Sequence, residues 1–148
     1  MEILDDVQRV EDWELLAQFA QAYRGLSDAL MDQISLHRSQ AMVLCKLFHQ
    51  DGITQSEIGQ QLAVQGATVT DMLQRMEETG LVSRRRDPED NRLVRVRLTE
   101  AGREKEDFIL EQFLKLERTV FAGFEEHERV LLRQLVHRTL DNMNRNHF

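Results

Sequence analysis

Between Arg84 and Arg97 the chain sets six arginines against three acids, in a protein of 148 residues with a formal net charge of −7. A guanidinium is always charged and offers a planar fork of donors, which suits phosphate oxygens and base edges in a DNA groove. In "RLVRVRL", Arg95 and Arg97 alternate with Val94, Val96 and Leu98, so one strand face should pack and the other should be basic. A second set of groups lies upstream, in "GATVTDMLQRMEETG". Thr68, Thr70, Gln74 and Arg75 fall on the outward side of a helix there, and Gln and Arg can contact base edges bidentately. Gly66 and Ala67 are small and would let the start of that helix approach a surface closely. The plain alternatives are a solvated helix face for the first four and simple turn chemistry for the last two.

Other chemistries find little support. GxSxG, the phosphate-binding Walker loop and HExxH are absent. The carboxylate pairs Glu77–Glu78 and Glu125–Glu126 are sequence neighbours on helices, where adjacent side chains do not face each other. His37, His49, His127, His137 and His147 show no metal-ligand spacing, and Cys45 is the only cysteine. Cys45 sits between Leu44 and Leu47 and reads as a buried structural thiol. The chain is therefore expected not to be an enzyme and to hold no metal or cofactor.

The elements that must position these groups follow from periodicity. Leu16, Phe19, Tyr23, Leu26 and Leu30 form one stripe of a helix over residues 11–34. A second helix spans 39–49. "TQSEIGQQL" opens with Thr54 and has Glu57 three residues on, a capping-box pattern. "AVQG" is a turn, and a second short helix follows with Val69, Met72, Leu73 and Met76 inward and Gly80 as its natural end. "LVSRRR" and "RLVRVRL" are strands joined by "DPEDN". Thr99 caps a long helix with Ile109, Phe113, Leu116 and Val120 on one side. After a turn near "GFEEHE", a last helix carries Leu132, Val136, Leu140 and Met143.

Two short helices around a tight turn make a helix-turn-helix, and a basic hairpin directly after it makes a wing. The fold class expected is mainly α with a small β-hairpin wing: a winged helix-turn-helix plus a helical dimerisation domain. The boundaries read as an N-terminal dimerisation helix over 1–35, a DNA-binding domain over 36–100 and C-terminal dimerisation helices over 101–148. Leu16, Phe19, Tyr23, Leu132, Val136 and Leu140 are the expected dimer contacts, because a winged core leaves these stripes little to cover within one subunit. No apolar run reaches the length of a membrane span, and "MEILDDVQRVEDW" carries acids where a secretory signal carries positive charge. A cytoplasmic protein is expected.

The stretch "LAVQGATVTDMLQRMEETGLVSRRRDPEDNRLVRVRLTEAG", Leu62 to Gly102, resembles the core of MarR-type transcription regulators. "TVT..L", "GLV.R", Asp90 and Arg92 as "D.R", and "LTEAG" carry the likeness, together with "L...Q..VL" over Leu36–Leu44. The resemblance implies a homodimer that binds a pseudo-palindromic double-stranded operator, commonly as a repressor. It also implies release by a small aromatic or phenolic effector between the two domains, or by oxidation of a cysteine. Arg92 corresponds to the wing-tip arginine, with Asp90 shaping the tip; the plain alternative is a weak surface ion pair. Arg84 and Arg86 are weaker DNA candidates, as are Arg95 and Arg97. Asp71 departs from the pattern, since related sequences often carry a basic residue there. Over Thr54–Arg97 basic and acidic residues balance at seven each, so DNA affinity should be moderate and strongly salt-dependent. Two other functions fit such a fold: a winged-helix module for protein contacts, and a small-molecule carrier using the cavity between the domains.

Overall fold

A computed structural model describes residues 11–145. The acidic N-terminal stretch over 1–10 and His147 lie outside the described residues. By internal packing the chain forms two units, one up to Phe113 and one from Leu114.

In the first unit, α1 (Asp12–Asp32) is followed by α2 (Arg38–His49), α3 (Gln55–Leu62) and α4 (Gly66–Glu78). β1 (Val82–Arg86) and β2 (Val94–Leu98) make an antiparallel hairpin, and α5 (Glu100–Glu104) and the start of α6 (Glu106–Val120) follow. The capping box at Thr54 is formed as the sequence indicates. Thr54 Oγ1 accepts the Glu57 N–H at 3.2 Å, and the Glu57 carboxylate accepts the Thr54 N–H at 2.7 Å. That backbone bond, with the Thr54 hydroxyl, holds the Glu57 carboxyl below the usual range. Gly80 ends α4 with φ +77°, where a side chain would be strained.

Leu44, Leu47, Ile58, Val69, Leu73, Met76, Val82 and Val96 form the buried centre, joined by Met31 of α1 and Ile109 of α6. Ile53 accepts the Val96 N–H at 2.9 Å, so the α2–α3 connection adds a short third rung beside β2. Its neighbour Asp51 accepts the Leu98 N–H at 2.8 Å and an Arg103 N–H at 2.8 Å.

One expectation fails. The helix begun at Thr99 is not continuous: α5 stops at Glu104, and Lys105 separates it from α6. Gly102 packs against the Leu81 carbonyl so closely that a Cβ there would lie 2.2 Å from that oxygen. Thr99 is pinned to the same segment, its N–H on Leu81 O at 3.1 Å and its hydroxyl on Gly80 O. The first turn thus follows the wing's base, and the chain resets its direction before α6.

In the second unit, α6 runs on to Val120, and α7 (Glu126–Arg145) follows a turn containing Gly123 at φ +80°. Arg129 caps this hairpin, lying 4.6 Å over the Phe121 ring and pairing with Glu117. Among the described residues no helix is long and apolar enough to cross a membrane.

Candidate nucleic-acid interface

The outward face of α4 carries five of the six residues the sequence singles out on that helix. Gly66, Ala67, Thr68, Gln74 and Arg75 are all exposed. Gln65, the N-cap, makes no side-chain bond, so the first amide N–H groups of α4 have no side-chain cap. A Cβ at Gly66 would meet nothing within 4 Å, so this chain's own packing does not require glycine there. Gln74 contacts Glu78 at 3.3 Å, one turn on. Asp71 is exposed among these groups.

Thr70 differs from its neighbours. It is half-buried, its hydroxyl donates to Gly66 O at 2.8 Å, and it accepts an amide N–H of Gln55 at 2.7 Å. This side chain is committed to the α3–α4 contact rather than to an outer surface.

The hairpin sorts its arginines by register. Arg84 is opposite Val96 and Arg86 is opposite Val94, so both belong to the packed face with Val82 and Leu98. Arg85 opposes Arg95 and Ser83 opposes Arg97, and these four form the other face. Arg84 is consequently drawn inward: its side chain is 19% exposed and lies between Glu77 and Gln55. Arg86 donates to Asn91 O at 2.6 Å and closes the wing loop. Arg95, on the basic face, pairs with Asp87 and donates to Gly52 O at 2.9 Å. The Arg97 guanidinium covers Gly52, where a Cβ would lie 2.9 Å from its nitrogen. Arg97 is itself exposed on that face, and so is Arg85. Reading β2 alone overlooks it; pairing the two strands would have placed it.

The wing tip is built on two carboxylates. Asp87, its side chain 10% exposed, accepts the N–H groups of Glu89 at 2.8 Å and Asp90 at 3.1 Å. Its bond with Arg95, then these two backbone bonds, hold its carboxyl below the usual range. Asp90 accepts Nε of Arg92 at 3.0 Å on one oxygen and a terminal guanidinium nitrogen at 3.0 Å on the other. The Arg92 backbone N–H joins at 3.1 Å. This fork lowers the Asp90 carboxyl and raises the Arg92 guanidinium. The Arg92 side chain is 88% exposed, so it projects from the tip while held in a fixed orientation.

Cys45 is half-buried against the core, and burial pushes its thiol up to about 11. Among the described residues no three His, Cys, Asp or Glu side chains gather as a metal-binding group.

A paired set of short helices, an exposed α4 and a hairpin with a projecting arginine define a winged helix-turn-helix regulator rather than an enzyme. The MarR family profile matches residues 36–94. An uncharacterised HTH-type transcriptional regulator of Bacillus subtilis, YdgJ, is 32% identical over 134 residues, covering 90% of this chain and 82% of that protein. The chain belongs to the MarR family of transcriptional regulators. Among solved structures it is similar to the Bordetella bronchiseptica regulator BpsR, whose DNA binding is regulated by 6-hydroxynicotinic acid. The TM-score is 0.81 at 25% identity, covering 90% of this chain and 96% of that one. The S. aureus MepR–DNA complex shares the fold, with TM-score 0.83 at 23% identity, covering 91% of this chain and 100% of MepR.

Proposed function

We propose that the protein is a homodimeric, cytoplasmic repressor that binds a pseudo-palindromic DNA operator. In this reading α4 enters the major groove and Arg92 enters the adjacent minor groove. The observation that carries it is the wing tip: an 88% exposed arginine held by a two-oxygen fork. A solvated ion pair has no need of a turn whose amides are fixed by a second, nearly buried carboxylate. MepR in complex with DNA supports the binding mode at the level of fold.

The regions proposed are an N-terminal dimerisation region over 1–35, a DNA-binding domain over 36–100 and a C-terminal dimerisation region over 101–148. Leu16, Phe19 and Tyr23 on α1 are 54%, 52% and 42% exposed, and Val136 and Leu140 on α7 are 41% and 44% exposed. Leu132 is half-buried beside them in sequence. Apolar faces this large are stabilised by a partner, and a second copy would cover both. Two α4 helices should then read half-sites about 34 Å apart. A small aromatic effector is proposed to release DNA, as the regulation of BpsR by 6-hydroxynicotinic acid suggests.

Selection of bound DNA from a random pool, with and without candidate phenols and aromatic acids, tests the reading. The expected result is an inverted repeat with centres about one helical turn apart. Recovery of no sequence preference, or a monomeric mass by light scattering at full DNA affinity, would reject it.

A further inference from the structure

We infer that Arg84 is a positioning residue, and that with Glu77 and Gln55 it fixes the spacing between the wing and the recognition helix. The inference rests on the operator-binding reading above. Arg84 begins in the sequence as one of several arginines that could touch DNA, but its surroundings give it other work. Its backbone N–H donates to the Glu77 carboxylate at 2.8 Å, and its guanidinium lies 3.5 Å from the other Glu77 oxygen. A second guanidinium nitrogen lies 3.5 Å from the Gln55 side-chain carbonyl. Its Nε is enclosed and has no hydrogen-bond partner. To reach a phosphate, this group would have to leave both partners.

Those partners sit on the two elements that make the helix-turn-helix. Glu77 is in the last turn of α4. Gln55 is the first residue of α3, and its amide donates to Thr70, whose hydroxyl is bound to Gly66 at the start of α4. A continuous polar chain therefore leaves β1 and reaches α4 twice, directly at its end and through Gln55 and Thr70 near its beginning. Two attachments along a helix fix its tilt, whereas one would leave a pivot.

The tilt decides which base pairs are read together. If α4 reads the major groove and the wing tip the minor groove, the two readings must lie a set number of base pairs apart. A five-residue strand is roughly 17 Å long, and successive base pairs are about 3.4 Å apart. A rotation of about 11° at the wing's base would therefore move its tip by one base pair. Arg84 stands at the middle of β1, where such a rotation would be resisted.

The test uses the full-length protein, its selected operator, and a version with the wing-facing bases displaced by one base pair. Wild type should prefer the true operator by roughly tenfold to a hundredfold. Arg84→Gln and Gln55→Ala should keep the wild-type dependence on salt, yet discriminate between the two DNAs by less than about threefold. Combining Arg84→Gln with Glu77→Gln should weaken discrimination no further than the worse single variant, because both act through one contact. Melting temperatures report folding; if Arg84→Gln does not fold, Gln55→Ala, which loses only side-chain bonds, carries the test. A fall in salt slope of about 0.9 per subunit, with discrimination kept, would show Arg84 to be a phosphate contact and overturn the inference. Full discrimination in every folded variant would also overturn it, while leaving operator binding intact. A wild type that selects no operator would instead sink both readings.

Discussion

Replacement of Arg92 by alanine isolates the wing's contact with DNA. In the free protein this side chain pairs with Asp90 and is 88% exposed. The Arg92 backbone bond to Asp90, at 3.1 Å, survives the change, so the turn should persist and the melting temperature should hold. On DNA the loss is of one ionic contact per subunit. Each such contact contributes about 0.9 to the slope of log affinity against log salt, so a dimer should lose about 1.8. Between 50 and 200 mM salt that amounts to roughly a twelvefold smaller loss of affinity for the variant than for wild type. At fixed salt, affinity should fall roughly tenfold to a hundredfold, because a groove-reading contact is also lost. Fluorescence anisotropy with a labelled operator across a salt series measures both quantities. An Arg92→Ala protein that stays folded and reproduces the wild-type affinity and slope would show the fork to be an ordinary surface ion pair.

Three further outcomes are expected. Gly102→Ala should destabilise by about 1–3 kcal/mol or more, since the new Cβ would fall 2.2 Å from the Leu81 carbonyl oxygen; an unchanged thermal transition would contradict this packing. Glu57, Asp87 and Asp90 all have lowered folded pKa values, so the unfolded chain takes up protons first as pH falls. Their stabilisation should be complete above about pH 5 and lost as pH drops below about 4. Melting curves from pH 6 to 3 should show a shallower acid loss in Asp87→Asn, and parallel curves would argue against the linkage. Cys45, with its thiol raised to about 11, should react with iodoacetamide at pH 8 at least about tenfold more slowly than a free thiol, even after allowing for its greater intrinsic nucleophilicity. Hydroperoxide should not alter DNA affinity, and Cys45→Ser should bind as wild type does. Release of the wild type but not of the variant would make Cys45 a sensor.

Periodicity made the architecture legible. The helices that became α1, α4, α6 and α7 were marked by their apolar spacing, and the boundaries of α3 and α4 were visible in Thr54, Glu57 and Gly80. The break at Lys105 was not, because its cause is the close approach of Gly102 to Leu81, a contact between residues twenty-one positions apart. The tip residues Asp90 and Arg92 were found through resemblance, and the structure adds the fork that orients them. The wing's arginines were harder. Alternation within β2 separates a packed face from a basic one, but β1 carries three arginines in a row, so alternation alone cannot assign them. Pairing with Val96 and Val94 turns Arg84 and Arg86 to the packed side and leaves Arg85 outward. Arg95 then shows that a basic face can still be occupied, by Asp87 and the Gly52 carbonyl. The Thr70 bond to Gln55 was hidden for a similar reason, since that partner lies 15 residues away and nothing in helix spacing announces it.

Asp51 has a consequence for how the chain acquires this form. Its carboxylate binds Leu98 and Arg103, 47 and 52 residues later, and so joins the α2–α3 connection to the base of the wing and to α5. Closing a loop of that length costs entropy that local contacts do not. α3, with its local capping box, and α4, joined to it by a short turn, can associate without waiting for it. The Asp51 bonds are therefore expected to form late, after the main folding barrier. Asp51→Ala should then speed unfolding while leaving the folding rate nearly unchanged, and a chevron in which the folding arm slows instead would place this closure in the transition state.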